Sequence, residues 1–166
     1  TLADNLTILG GLTSDFGGGT LNGNTINVGG GLTMTAGLLG TTNIILNGTG
    51  TWSGSTLLRN NLTINTAGTI TISGVVSYRT GTFTYTAGAV VTTGSTINFG
   101  DGGGSYNLNG IAFNNITMLG GTNTLLSNIN LSGTLTANFN VVTLNGNTLY
   151  ASGGMAITAP VSGTTA

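Results

Sequence analysis

The sequence predicts an all-β protein, a parallel β-solenoid (β-helix) of short strands wound in coils of about 20 residues. Three observations carry that prediction. Segments of the chain recur at regular spacing, apolar residues alternate with Thr and Asn between glycines, and the groups that usually perform chemistry are nearly absent. In 166 residues there are two Lys plus Arg, three Asp plus Glu, and no His or Cys. Charged residues make up 3% of the chain, against about a quarter in ordinary soluble proteins.

The recurrence has two lengths. Asp4-Asn5-Leu6-Thr7-Ile8, Asn60-Asn61-Leu62-Thr63-Ile64 and Asn114-Asn115-Ile116-Thr117-Met118 begin alike, at spacings of 56 and then 54 along the chain. They divide a single segment, residues 1–166, into approximate repeats 5–60, 61–114 and 115–166. Trp52 and Tyr106 keep the 54-residue offset, each after a Gly and a hydroxyl residue. A shorter echo lies within, where the Thr-Ala-Gly of Thr66 to Gly68 returns at Thr86 to Gly88, an offset of 20, with a third copy at Thr35 to Gly37. The hexapeptide Thr20 to Thr25 recurs at Thr143 to Thr148, an offset of 123 that is no multiple of the long period. Coils of variable length account for that mismatch.

The strands follow from alternation. Leu32 to Thr35, Thr69 to Ile72, Thr82 to Thr86, Thr96 to Phe99 and Thr134 to Thr136 place apolar residues at every second position. That period sends one set of side chains inward and the other outward. The runs predict strands of three to five residues. Gly, Asn and Ser between them supply the positive φ angles of sharp corners, and helix-favouring Glu and Lys are missing. A strand every seven or so residues implies two or three strands per coil, each coil hydrogen-bonded to the next. Roughly eight coils at ~4.8 Å each make a rod about 40 Å long. A membrane barrel needs strands of about ten residues and aromatic girdles, and a β-sandwich gives no reason for the 20-residue echo.

The ends of such a rod expose unpaired backbone groups, which charged residues normally protect. With hardly any charge available, the expectation is that flanking segments cap the rod or that copies self-associate, end to end or side by side, as a homo-oligomer or filament. No run of eighteen apolar residues offers a membrane-spanning helix, and the opening TLADNLTILGG lacks the charged start and apolar core of a secretory signal. A start without Met and a final SGTTA read as a processed protein or a piece of something longer. A formal net charge of −1 offers nucleic acid no basic field.

The residues that could carry a site are few. Asp15 and Asp101 lead into glycine triplets and suggest calcium turns, but one carboxylate per loop is poor supply for six to eight oxygen ligands, so turn chemistry is the stronger reading. Glycoside cleavage needs paired acids, and Asp4, Asp15 and Asp101 are widely separated. Nucleophilic triads have no His, Cys or Lys to build on. Catalytic, cofactor-binding and metal sites are therefore expected to be none, and no cofactor is expected. Arg59 and Arg79 read as solvated rim residues. Asn-x-Thr/Ser triplets at Asn5, Asn47, Asn61, Asn115 and Asn130 occur as often as composition alone predicts. Trp52, Tyr78, Tyr85, Tyr106 and Tyr150 could stack on sugars, although packing at corners or against a neighbouring subunit is the stronger expectation. Thr-x-Thr pairs at Thr33 to Thr35, Thr69 to Thr71, Thr82 to Thr86 and Thr134 to Thr136 raise the idea of an ice-binding array.

The stretches NIILNGTGTWSGSTLLRNNLTINTAGTITISG, TGTFTYTAGAVVTTGSTINFG and GIAFNNITMLGG, spanning Asn43 to Gly121, resemble repeat modules of phage and viral tail-fibre or virion-surface proteins. They are also similar to bacterial β-helical adhesins. The resemblance implies an elongated solenoid in an extracellular or virion fibre, commonly homo-oligomeric, serving as a shaft or as a face that meets a host surface glycan or receptor. It carries no catalytic motif.

Overall fold

Alternation becomes a closed core because every described strand is paired in parallel with the strand one coil away. The computed structural model describes residues 1–15, 19–39, 43–100, 102–137, 141–158 and 161–162. Among these residues there is no α-helix. Coils begin at Leu6, Thr25, Asn43, Asn61, Thr82, Gly104, Thr122 and Val141, and Val161 opens another. The sequence separation of stacked partners runs from 18 (Ile26↔Ile44) to 23 (Phe83↔Tyr106). The parallel β-solenoid with coils of ~20 residues is thus the fold, and each coil has three sides.

Each side stacks into a ladder. The first runs from Leu6–Ile8 through Thr25–Val28 and Asn43–Leu46 to Gly104–Asn107, Thr122–Leu125 and Val141–Thr143. The second begins with Leu12–Ser14, Leu32–Met34 and Gly50–Ser53 and resumes in Ala112–Phe113, Ile129–Leu131 and Leu149–Ala151. Between those stretches the Thr92 hydroxyl donates to the Ala112 carbonyl at 2.7 Å. The third ladder includes Val75–Tyr78, Thr96–Phe99, Asn115–Met118, Leu135–Ala137 and Met155–Ile157.

Two strands exceed the expected three to five residues. Asn61–Ile72 and Thr82–Val91 run around the corner from the first side to the second. They pair with each other through a shifted register at Asn65. Thr66 makes the bend possible: its hydroxyl donates to the Gly48 carbonyl at 2.9 Å and accepts the Gly68 N–H at 2.8 Å. Earlier coils turn the same corner on glycine. A Cβ at Gly48 would strike the Gly29 carbonyl, and one at Gly50 would strike the Gly31 backbone. Backbone stacks directly on backbone there, so no side chain fits.

Inward positions form columns. Ile26, Ile44, Leu62, Phe83, Tyr106 and Leu125 stack along the first ladder, all buried. Leu58, Tyr78, Phe99, Met118 and Ala137 do the same along the third. Ile70 and Phe99, both expected inward, are fully enclosed. Fully burying an aliphatic or aromatic side chain of this size contributes about 1.5–3 kcal/mol, so this core is what orders a nearly uncharged chain.

The recurrent Asn-Leu/Ile-Thr is a clasp between coils. The Asn5 side-chain oxygen accepts the Thr25 N–H at 2.7 Å, Asn61 accepts that of Thr82 at 2.9 Å, and Asn115 that of Thr134 at 2.9 Å. Asn5 and Asn61 sit on the first side and Asn115 on the third. The repeated pentapeptide thus marks a strand start wherever one is needed.

Candidate functional surfaces

A solenoid offers two kinds of surface, its sides and its ends, and they differ here in chemistry. Outward positions along the first side are Thr7, Asn27, Ile45, Thr63, Thr84 and Asn107. Hydroxyls and amides link neighbouring coils: the Asn61 amide donates to Asn43 at 3.1 Å, and Thr33 and Ser53 share a hydrogen bond of 3.3 Å. The sides are largely polar and engaged in binding coil to coil, with single exposed apolar residues such as Val75, Val91, Leu119 and Leu126 scattered along them.

Charge is confined to a few spots. Asp4, Asp15 and Arg59 are exposed and Arg79 is half-buried. The Arg79 N–H donates to the Leu58 carbonyl at 2.7 Å, which puts the two arginines on one corner, one coil apart. Asp101 and residues 16–18 of the Asp15 turn lie outside the described residues, while the glycines after Asp101 do turn the chain: Gly103, at φ of 74°, donates its N–H to the Gly100 carbonyl at 3.3 Å. Among the described residues no three His, Cys, Asp or Glu side chains stand close enough to hold a metal ion.

The aromatic residues divide in a way that composition did not indicate. Trp52, Tyr78 and Tyr106 lie neither at a corner nor on a surface but in the core, where they join Phe83 and Phe99 in one cluster. Trp52 meets Phe83 edge-on at 5.6 Å between ring centres, Tyr78 lies 5.6 Å from Phe83 and 6.5 Å from Phe99, and Phe99 and Tyr106 are 4.0 Å apart. Their alternation with outward residues was the available signal: Trp52 is in register with Leu32 and Ile72, both inward. Tyr85 is half-buried and its hydroxyl donates to the Gly88 carbonyl at 2.6 Å. Tyr150 alone of the five is exposed, at 59%.

Within the cluster, the Tyr106 hydroxyl donates to the Asn123 side-chain oxygen at 2.8 Å. The Asn123 amide nitrogen is buried without a partner, and the Tyr78 hydroxyl makes no geometric hydrogen bond, although the Leu62 backbone lies near enough to act on it. Burial, and then the neighbouring Tyr106, push the Tyr78 phenol far above the usual tyrosine range; burial does the same to Tyr106. Both phenols are structural and neutral.

The ends carry the open apolar grooves. At one end Leu2, Leu6, Leu12, Leu21, Ile26 and Leu38 line an open groove of about 230 Å³. At the other, Leu144, Leu149, Met155, Ile157 and Val161 line one of about 290 Å³. Met155 is 50% exposed and Val161 47%, although their positions continue inward columns. Each groove is the core seen end-on.

Compared with protein-family models, with curated proteins and with solved structures, the chain matches none.

Proposed function

We propose that this chain is a non-enzymatic structural segment of an extracellular fibre, with a viral (phage) tail fibre or other virion appendage as the leading setting. The observation that supports it is the contrast between sides and ends: largely polar sides hydrogen-bonded coil to coil, and an open apolar groove at each end. Such a rod is suited to being extended. Self-association or in-line continuation is the partnership this implies. A bacterial surface adhesin, or the subunit of a self-assembling extracellular filament, is the alternative, in which an exposed face meets a host glycan or receptor.

Ice binding has less support. Thr33 to Thr35 and Thr69 to Thr71 lie on or beside the second side, two coils apart, Thr82 and Thr84 on the first, and Thr134 and Thr136 on or beside the third. The pairs do not gather into one flat array, and no thermal hysteresis is expected. Electron microscopy of the native material, with particle mass, tests the fibre reading. Rods or thin appendages built from repeated copies support it. Isolated compact particles of ordinary hydrodynamic radius overturn it, and a glycan or host-cell binding assay separates an adhesive tip from an inert shaft.

A further inference from the structure

The 123-residue offset of the recurring hexapeptide extends well beyond six residues. Residues 1–43 align without a gap on residues 124–166, and almost half of the paired positions are identical. TLADNLTILGGLTSDF matches TLLSNINLSGTLTANF, and after the shared TLNGNT, GGLTMTAGLLGTT matches GGMAITAPVSGTT. Most of the remaining inward positions exchange one aliphatic residue for another.

The structure repeats at the same offset. Leu6–Ile8 corresponds to Ile129–Leu131, Leu12–Ser14 to Leu135–Ala137, Leu32–Met34 to Met155–Ile157 and Leu38–Leu39 to Val161–Ser162, with the same strand limits in these four; Gly19–Thr20 with Val141–Thr143 and Thr25–Val28 with Leu149–Ala151 differ by one residue at their starts. The two TLNGNT corners are alike in detail. Asn22 and Asn145 both have φ of 52°, followed by Gly23 at 80° and Gly146 at 77°, the left-handed pair that Asn-Gly favours in a tight turn. Asn24 donates to the Leu2 carbonyl at 2.9 Å and Asn147 to that of Leu125 at 3.0 Å. Thr25 donates to Asn5 at 2.7 Å and Thr148 to Asn128 at 2.8 Å.

The equivalent strands nevertheless occupy different sides. Leu6–Ile8 is on the first ladder and Ile129–Leu131 on the second; Leu12–Ser14 is on the second and Leu135–Ala137 on the third. The offset therefore equals six coils and one further side. We propose that the chain is built from a 123-residue module whose successive copies continue the rod in line, each turned by one third of a turn, and that the two open apolar ends are module junctions. The occupant of each end is a coil whose character the chain itself displays.

At the end lined by Met155 and Val161, the equivalents of Leu32 and Leu38, the next coil has the character of Asn43–Leu46, Gly50–Ser53 and Leu57–Leu58, including the residue equivalent to Trp52. At the Leu6 and Leu12 end, the preceding coil has the character of Ala112–Phe113, Asn115–Met118 and Thr122–Leu125. A feature present once per module then faces three directions in turn along the rod. This arrangement stands whether the rod serves a virion, a cell surface or neither.

The test extends the full chain with a second copy of residues 44–166, so that Ile44 follows Ala166 as it follows Asn43. In the parent, Thr33 and Ser53 are outward neighbours on the second ladder. Ala156 is the module equivalent of Thr33 but lies on the third ladder beside Thr136. With Ser53→Cys in the added copy, Ala156→Cys in the parent part is expected to cross-link in high yield with a short bismaleimide; the chain has no other cysteine. A cross-link to Tyr150→Cys, on the second ladder, instead of Ala156→Cys overturns the one-third turn, and linkage to neither overturns the junction. A second variant tests module equivalence without extension: residues 2–14 replaced by the sequence of residues 125–137. Its melting temperature is expected within about 4 °C of the parent, and loss of the folded rod overturns the proposal.

Discussion

Replacing Phe99 by Ala removes a side chain with no exposed surface, 4.0 Å from Tyr106 and 6.5 Å from Tyr78 between ring centres. Loss of transfer energy accounts for about 3 kcal/mol, and loss of the aromatic contacts for about 1 kcal/mol more. The sum, ~4 kcal/mol, lies within the range of about 3–5 kcal/mol for buried Phe→Ala. It is a large share of the roughly 5–15 kcal/mol by which domains are stable. In a stack of coils the loss falls on the two interfaces that flank Phe99. Trp52 provides a distant optical probe, coupled through Phe83 and Tyr78. Urea unfolding read by circular dichroism and by Trp52 fluorescence should show both transitions moving together, by about 2 M for a slope of ~2 kcal/mol/M. A shift below about 0.5 M, comparable to that of Leu9→Ala at a 91% exposed site, would refute a closed aromatic core.

Three further outcomes follow from the same geometry. Ile70→Asp places an unpaired charge in a column with no exposure, which costs several kcal/mol, so the variant should fail to accumulate as soluble rods; normal yield and spectrum would overturn the inward placement. Tyr78→Phe deletes a buried hydroxyl that makes no geometric hydrogen bond and should be neutral or stabilising by up to ~1 kcal/mol, whereas Tyr106→Phe strands the Asn123 side chain and should cost ~1–3 kcal/mol; equal effects in calorimetry would contradict the assignment. Both phenols keep their protons in the folded rod above the usual tyrosine value of 10.0, where the unfolded chain releases them, so the unfolded state binds fewer protons and stability falls as pH rises through that value. The slope approaches about 1.4 kcal/mol per pH unit for each tyrosine, and alkaline titration of unfolding with a flat profile up to about pH 12 would show that the phenols are not enclosed.

The solenoid was legible because two periods agree, alternation within strands and the 20-residue echo between coils. Ile70, Ile97 and Phe99 all point where alternation sends them. The long strands were hidden because Thr66-Ala67-Gly68 reads as a break, while the Thr66 hydroxyl supplies the bonds that let pairing continue around the bend. The interior position of Trp52, Tyr78 and Tyr106 was available from alternation, but large amphipathic rings suggest a surface until the stack above and below them is known. The 123-residue offset looked irregular against a 54-residue period because a side, and not a whole coil, is the unit that repeats.

The direction of the ladders has a mechanical consequence. Backbone hydrogen bonds between coils run along the rod, and the covalent chain runs across it. Tension applied to the two ends therefore loads the outermost coil first and peels it away before the next is strained. Each release of about 20 residues yields roughly 70 Å of slack chain, many times the ~4.8 Å the coil occupied. A rod of this kind yields in small, repeatable steps under load and can rewind on the coil still in place.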